Sequence, residues 1–290
     1  MSRFSIDWLR LRESADLAAR DPALARRFAA ALAVRGAQPL QLLDLGAGTG
    51  ANCRALLPRI AGDQEWLLIE RDRDLIAVQG EEFTRWARRQ GYPIRAGGGD
   101  ITIDAGAARW HIVSLPLDLM EGRAAIEALA IDGVAAAALF DLVSEAWVDW
   151  FADFLAARAV PLLAALTVDG RRQWQPPWDD DAVVVGSFRA HQARDKGFGP
   201  ALGGAAPAVL RDTFAAHGFA VAESDSAWRL GAGDGALLAA LIEGEAEAAT
   251  VASPADAAAI AAWRKARLGR LAEHKLGLTI GHCDMLALPV

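Results

Sequence analysis

Cysteine is scarce. The 290 residues hold two, Cys53 and Cys283, far apart and without metal-ligand spacing. A disulfide scaffold is thereby excluded, and a reduced, cytoplasmic setting is the expectation. No zinc pattern, no serine-triad motif and no P-loop lysine occurs, so the chemistries those motifs serve have no support. Positive charge is also short: 30 Lys and Arg face 37 Asp and Glu, a net charge of −7. A chain that clamps phosphates along a duplex needs a basic face, so the balance argues against a long nucleic-acid footprint, though Arg85, Arg88 and Arg89 form a local patch. Long uncharged apolar runs are missing as well. The segment 133–139 is apolar but short and Ala-rich, which fits a buried strand better than a membrane span. The opening Met-Ser-Arg-Phe-Ser-Ile-Asp lacks the apolar core of a signal peptide.

What is present is ample material for a core. Hydrophobic residues make up 53% and charged residues 23%, the balance of an ordinary globular protein. Residues 4–34 read as helix with a break and restart at Asp21-Pro22, where Asp suits a cap and Pro the first turn. Apolar runs at 40–45, 66–70, 133–139 and 160–167 then alternate with helical stretches at 52–60, 74–90, 121–130 and 142–158. Such alternation predicts parallel βαβ units and a doubly wound sheet. Residues 101–104 and 110–115 read as a hairpin bending at Ala105-Gly106. Residues 206–217 read as helix, 219–224 as strand, 235–275 as two or more helices and 278–288 as a closing strand. Residues 1–36 form an N-terminal helical segment and residues 169–204 a substrate-side insertion with a helix over 182–194. The whole, 1–290, is read as one domain.

The strongest local signal is Leu42-Leu43-Asp44-Leu45-Gly46-Ala47-Gly48-Thr49-Gly50. Glycines between a strand and a helix let backbone approach a ligand closely. Gly46-x-Gly48-x-x-Ala51 alone also satisfies the dinucleotide fingerprint. Gly50 and the acid Asp44 shift the balance toward a ligand that carries positive charge, since a pyrophosphate is repelled by a nearby carboxylate. Glu70 ends the second strand at the spacing of an acid that accepts hydrogen bonds from ribose hydroxyls. That feature supports a nucleoside of either kind.

Asp-Leu-Gly-Ala-Gly-Thr-Gly followed by Leu-Leu-Ile-Glu resembles the class I family of S-adenosylmethionine-dependent methyltransferases. The resemblance implies a Rossmann-like, mostly parallel sheet with a C-terminal antiparallel strand, which residues 278–288 would supply. It implies S-adenosylmethionine as cofactor, with Asp44, Gly46, Ala47, Gly48 and Gly50 at its methionine part and Glu70 on its ribose. It also places Asp118 near the adenine, with Asp100 as a rival and a helix cap as the plainer role.

Ligands of such sheets sit beyond the carboxyl ends of the strands. Phe140 and Asp141 follow the fourth strand and are expected to face the transferred methyl, Asp141 orienting or deprotonating the acceptor or else capping the next helix. His191 and Asp195, four apart on a helix, share a face, which makes His191 a second candidate base. Trp147, Trp150, Trp174 and Trp178 are read as packing rather than an aromatic cage. His282, Cys283 and Asp284 alternate in a strand and make a poor metal site. The expected function is methyl transfer to a small-molecule acceptor, without membrane attachment. The alternatives are an NAD(P)-dependent oxidoreductase and a non-catalytic scaffold that binds S-adenosylmethionine.

Overall fold

The computed structural model describes residues 5–36, 38–97, 99–192 and 197–290. Two helices lead the chain: α1 (Ile6–Ala19) and α2 (Pro22–Arg35). The expected break between them is present. The Asp21 side chain accepts from the Ala23 and Leu24 N–H groups, and Pro22 opens α2, where its missing N–H costs nothing. Then come β1 (Leu40–Leu45), α3 (Ala51–Leu56), β2 (Gln64–Glu70) and α4 (Arg73–Gln90). Gly91 stops α4 in the left-handed conformation, its N–H closing on Ala87 and Arg88 carbonyls.

Next are β3 (Ile94–Gly97), β4 (Asp100–Asp104), β5 (Arg109–Pro116), the short α5 (Arg123–Glu127), β6 (Gly133–Ala137) and α6 (Glu145–Ala156). The chain continues through β7 (Leu162–Gln175), α7 (Asp181–Gln192), α8 (Ala206–Ala216), β8 (Phe219–Asp225) and β9 (Trp228–Leu230). It ends with α9 (Gly235–Ala252), α10 (Ala257–Ala272) and β10 (Gly277–Pro289).

The strands form one sheet in the order β3-β4-β5-β2-β1-β6-β7-β10-β8, with β9 also pairing β10. The five strands from β5 to β7 run parallel. β10 is antiparallel to both β7 and β8. This is the Rossmann-like, doubly wound sheet with a C-terminal antiparallel strand that the sequence predicts. Its reversal of winding direction falls at β1, next to β6, the point where open α/β sheets leave a crevice.

Alternate side chains of the parallel strands face two cores. On one face Leu42, Trp66 and Leu68 meet Phe28 and Leu32 of α2, Cys53 of α3 and Phe83 of α4. On the other, Leu43, Leu45 and Val134 meet Trp147 and Phe151 of α6 and Phe214 of α8. Each such fully buried side chain contributes ~1.5–3 kcal/mol. A third cluster lies beyond the sheet's carboxyl end, where Trp174, Trp228 and Leu278 pack on α9, α10 and Trp8 and Leu11 of α1.

Three expectations need correction. Residues 169–175 are not the start of an insertion but the second half of β7, because β10 supplies an antiparallel partner as far as Gln175↔Gly277. α6 starts at Glu145, not at 142, and its cap is Ser144, whose hydroxyl accepts from the Trp147 N–H. Asp141 therefore does not cap it. β3 and β9 escaped the sequence reading because each is too short to set up a period.

Candidate functional site

A cavity of about 840 Å³ opens at the carboxyl ends of β1, β2 and β6, within the range of small-molecule sites. Its floor is the loop after β1. Gly46 and Gly48 have φ of +62° and +54°, a region that excludes most side-chain-bearing residues. Both line the cavity with Ala47. Gly50 does not. A Cβ there would stand 2.4 Å from Phe83 Cε2, so this glycine is demanded by packing on α4.

The loop spends its own amides internally. The Ala47 N–H donates to the Ile69 carbonyl and the Gly50 N–H to the Ala47 carbonyl. The Gly48 N–H donates to Glu70 Oε2 at 2.9 Å. Glu70 Oε1 accepts from the Arg71 and Asp72 N–H groups, each at 2.8 Å. Three backbone donors thus fix this carboxylate at the cavity wall, and of its roughly four acceptor sites one is left, on Oε2.

Asp44 stands behind the loop rather than in the cavity. It is fully buried. Its Oδ1 accepts from Asn52 Nδ2 at 2.7 Å and its Oδ2 from the Cys53 N–H. Burial pushes its carboxyl up to about 7, against the pull of Asn52 and of the Arg20 charge. Arg20, which lines the cavity, donates to Asn52 Oδ1 at 2.7 Å. Asp44 therefore acts on the cavity through Asn52 and Arg20, because it is fully buried behind the loop.

The cavity wall opposite the loop is α1. Leu9, Arg12, Glu13, Asp16, Leu17 and Arg20 face the space, at the three- and four-residue steps of one helical face. No α1 residue is fully buried. Polar contacts hold the helix instead. Buried Arg54 donates to the Thr49 carbonyl and to both oxygens of Glu13, each of the latter at 2.8 Å. Arg10 pairs with Glu82, and Arg12 pairs with Asp16. The sequence reading gave this segment no role in a site. The one-sided spacing from Leu9 to Arg20 is the signal that was there to find it.

Asp118 lies between two lining residues, Leu117 and Leu119, but its carboxylate is engaged. Oδ1 accepts from the Met120 N–H at 2.8 Å and Oδ2 from Arg71 Nη1 at 3.0 Å. Burial would raise its carboxyl, but these donors outweigh it and hold the group below the usual range. Asp118 is a turn cap, and its rival Asp100 is tied up with His111 on the outer hairpin.

The fourth-strand residues divide. Ala138 has φ of +51°, which breaks the alternation, so Leu139 and Leu142 line the cavity. Phe140 turns into the core against Trp147 and Phe151, at 6.2 and 6.4 Å between ring centroids. Phe140 is therefore not among the residues that line the cavity. Asp141 is buried beside the lining residues, and its Oδ1 has no hydrogen bond. Burial pushes its carboxyl up to about 6, and the Arg12 charge pulls the other way.

His191 sits at the end of α7, away from the residues that line the cavity. Its expected partner Asp195 lies outside the described residues. The chain after α7 does reach the site, through Phe198, which lines it and meets Trp147 edge-on at 6.0 Å. Trp147 and Trp174 behave as packing, the first fully buried and the second meeting Trp263 at 5.6 Å, whereas Trp178 is 41% exposed. No group of three metal-ligating side chains occurs among the described residues, and none of their helices is long and apolar enough to cross a membrane.

No family model matches the chain, and no curated protein matches its sequence. Its fold is similar to that of solved structures at low identity. A cyclopropane synthase from Mycobacterium tuberculosis is 14% identical with a TM-score of 0.43, over 90% of this chain and 82% of that one. A SAM-dependent methyltransferase from Thiobacillus denitrificans, crystallised with S-adenosyl-L-homocysteine, is 16% identical with a TM-score of 0.41, over 99% and 100%. A [4+2]-cyclase is 17% identical with a TM-score of 0.39, over 91% and 82%. These likenesses concern the fold, and function must be argued from the site.

Proposed function

We propose that the chain is an S-adenosylmethionine-dependent methyltransferase acting on a small molecule. The observation that carries this reading is the coupling of Glu70 to the loop. A carboxylate fixed by the Gly48, Arg71 and Asp72 N–H groups, with an acceptor site left on Oε2, is a pre-set acceptor for a hydroxyl, as a ribose presents. The same bond removes the Gly48 amide from service, and Ala47 and Gly50 donate within the fold. A pyrophosphate needs such amides free, so the loop fits a nucleoside without phosphates better than a dinucleotide. This disfavours the oxidoreductase alternative.

The cavity has the groups a sulfonium amino acid needs. Arg20 offers a guanidinium to a carboxylate, and Asp16 and Glu13 supply negative charge along α1. Gly46 and Gly48 form the floor, where a Cβ would meet Leu139 Cδ1 at 3.2 Å or Leu9 Cδ1 at 3.4 Å. S-adenosylmethionine, when bound, supplies an electrophilic methyl group on a cationic sulfur. The protein's part is to align the acceptor and exclude water. We assign the role of taking the acceptor's proton to Asp141: it follows β6 between the lining residues Leu139 and Leu142, and burial raises its carboxyl to about 6, which suits a base near neutral pH.

Calorimetric titration with S-adenosylhomocysteine, with NAD as control, tests the reading. Binding of the former alone is expected. Glu70→Ala should weaken it by about 1–3 kcal/mol, the cost of lost charge-assisted hydrogen bonds. Binding of NAD alone would overturn the cofactor assignment.

A further inference from the structure

Asp284 stands outside the cavity and is 2% exposed. A carboxylate tolerates such burial only when its oxygens are satisfied. Two distant backbone amides satisfy them. Oδ1 accepts from the Leu166 N–H at 2.8 Å and Oδ2 from the Asp21 N–H at 2.9 Å.

The first of these bonds lies at an irregularity of the β7–β10 ladder. Thr167 pairs Cys283 and Ala164 pairs Met285, so Ala165 and Leu166 together oppose Asp284 alone, which makes a bulge. Leu166 takes φ of +57°, a conformation rare for so bulky a side chain and one that clusters at functional sites. The Asp284 carboxylate serves this amide in place of a ladder carbonyl. The second bond reaches the junction of α1 and α2. The Asp21 N–H belongs to the peptide unit that joins Arg20 to Asp21, between the end of one helix and the start of the next. α1 has no fully buried residue, so packing alone holds its last turn loosely. Asp284 ties the Arg20–Asp21 peptide to β7, inside the sheet.

Two further observations couple Asp284 to the Arg20 side chain. Both residues line a small recess of about 20 Å³. Burial lowers the Arg20 guanidinium below its ordinary value, and the Asp16, Asp284 and Asp44 charges oppose that loss. Arg20 gives Nη1 to Asn52 and also lines the large cavity.

We infer that Asp284 is a positioning residue for the cofactor: it sets Arg20 where the guanidinium receives the carboxylate of the ligand's amino-acid part. The inference rests on the S-adenosylmethionine reading and adds to it the group that holds Arg20 in place. A carboxylate suits the task because it accepts on both oxygens and donates on neither. An asparagine of the same shape must turn its NH2 toward one of the two amides.

Calorimetry with two ligands separates positioning from structural support. S-adenosylhomocysteine carries the amino-acid carboxylate. 5′-Methylthioadenosine keeps the nucleoside and the sulfur and lacks it. Asp284→Asn should weaken S-adenosylhomocysteine about tenfold, within the range for coupled neighbouring residues. It should leave 5′-methylthioadenosine unchanged, which also reports that the variant folds. In an Arg20→Gln background the same substitution should cost S-adenosylhomocysteine little. Equal losses for the two ligands, no loss for either, or the full loss in the Arg20→Gln background overturns the inference. If Asp284→Asn does not fold, amide exchange in the wild-type protein decides. The Asp21 N–H should be slowed by S-adenosylhomocysteine and not by 5′-methylthioadenosine, and equal protection, or none, overturns the inference. Binding of neither ligand to the wild-type protein would instead overturn the cofactor reading on which it rests.

Discussion

Gly48 and Gly50 occupy one loop and answer to different neighbours. At Gly50 φ is +83° and a Cβ would collide with the Phe83 ring at 2.4 Å. Gly50→Ala should therefore lower stability by at least about 1–3 kcal/mol through backbone strain alone, read in urea denaturation. At Gly48 a Cβ reaches Leu9 at 3.4 Å, ordinary contact, and a larger side chain projects between loop and α1. Gly48→Val should cost stability through strain at φ +54° and, beyond that, binding of S-adenosylhomocysteine, which Gly50→Ala should not reduce to the same degree because Gly50 does not line the cavity. Asp44 makes a second prediction. Its folded-state carboxyl lies at about 7, above its ordinary value of 3.8. A raised acid contributes stability fully below its unfolded pKa and loses it as pH rises through the folded one. The melting temperature of Asp44→Asn relative to wild type should therefore climb between pH 4 and 7 and level off above. A flat difference would show that Asn52 and Cys53 compensate the charge completely. The spacing of the glycines and of Glu70 was legible in the sequence. The direction each side chain takes was not, because neither Phe83 nor Asn52 is near them in any pattern.

At the scale of the element, α1 and β7 depart furthest from expectation. α1 has no fully buried residue; its stripe of Trp8, Leu11, Ala15 and Ala19 packs only partly buried on the third cluster and charged pairs add to it, so it is bound less firmly than a helix with a fully buried apolar stripe. Glu13→Gln removes the carboxylate that Arg54 grips bidentately. Amide exchange across residues 6–19 should accelerate about ten- to a hundredfold, the equivalent of the ~1.5–3 kcal/mol of a hydrogen bond to a charged group, while the sheet exchanges as before. Equal acceleration in β1 would mean that α1 and the core open together. Helix periodicity predicted α1. Its use as a cavity wall follows from contacts with Arg54 and Glu82, which are remote in sequence. β7 continues past the cavity only because β10 runs beside it. Its residues 169–175, with glycine and polar side chains, read as loop until that partner is known.

Across the whole molecule, the sheet's carboxyl end supports two structures, the cavity and the layer of α7, α9 and α10. That layer contains buried charge. Glu245 is 1% exposed and accepts from Arg172 and Trp174. Arg267 is fully buried, donating to the Pro176 carbonyl and pairing with Asp181. Removing one partner of such a pair strands the other, at a cost of about 3–5 kcal/mol. Glu245→Ala should lose that much in denaturant unfolding and keep its affinity for S-adenosylhomocysteine, since none of these residues lines the cavity. A matching loss of affinity would show that this layer also sets the geometry of α1, which packs on it through Trp8 and Leu11.

The sequence by itself determined the alternation of strands and helices, the turn after β1, the acid at the end of β2 and the closing strand. Each is a local matter of period, of glycine's access to positive φ, or of spacing along one chain segment. Only the tertiary structure decided that Phe140 turns into the core, that Asp118 is engaged by Arg71 and the Met120 N–H, that residues 169–175 extend β7, and that α1 walls the cavity. Those outcomes depend on a left-handed residue at Ala138, on ladder register between β7 and β10, and on ion pairs between distant segments. None of these leaves a periodic trace, because the partners are chosen by packing in three dimensions.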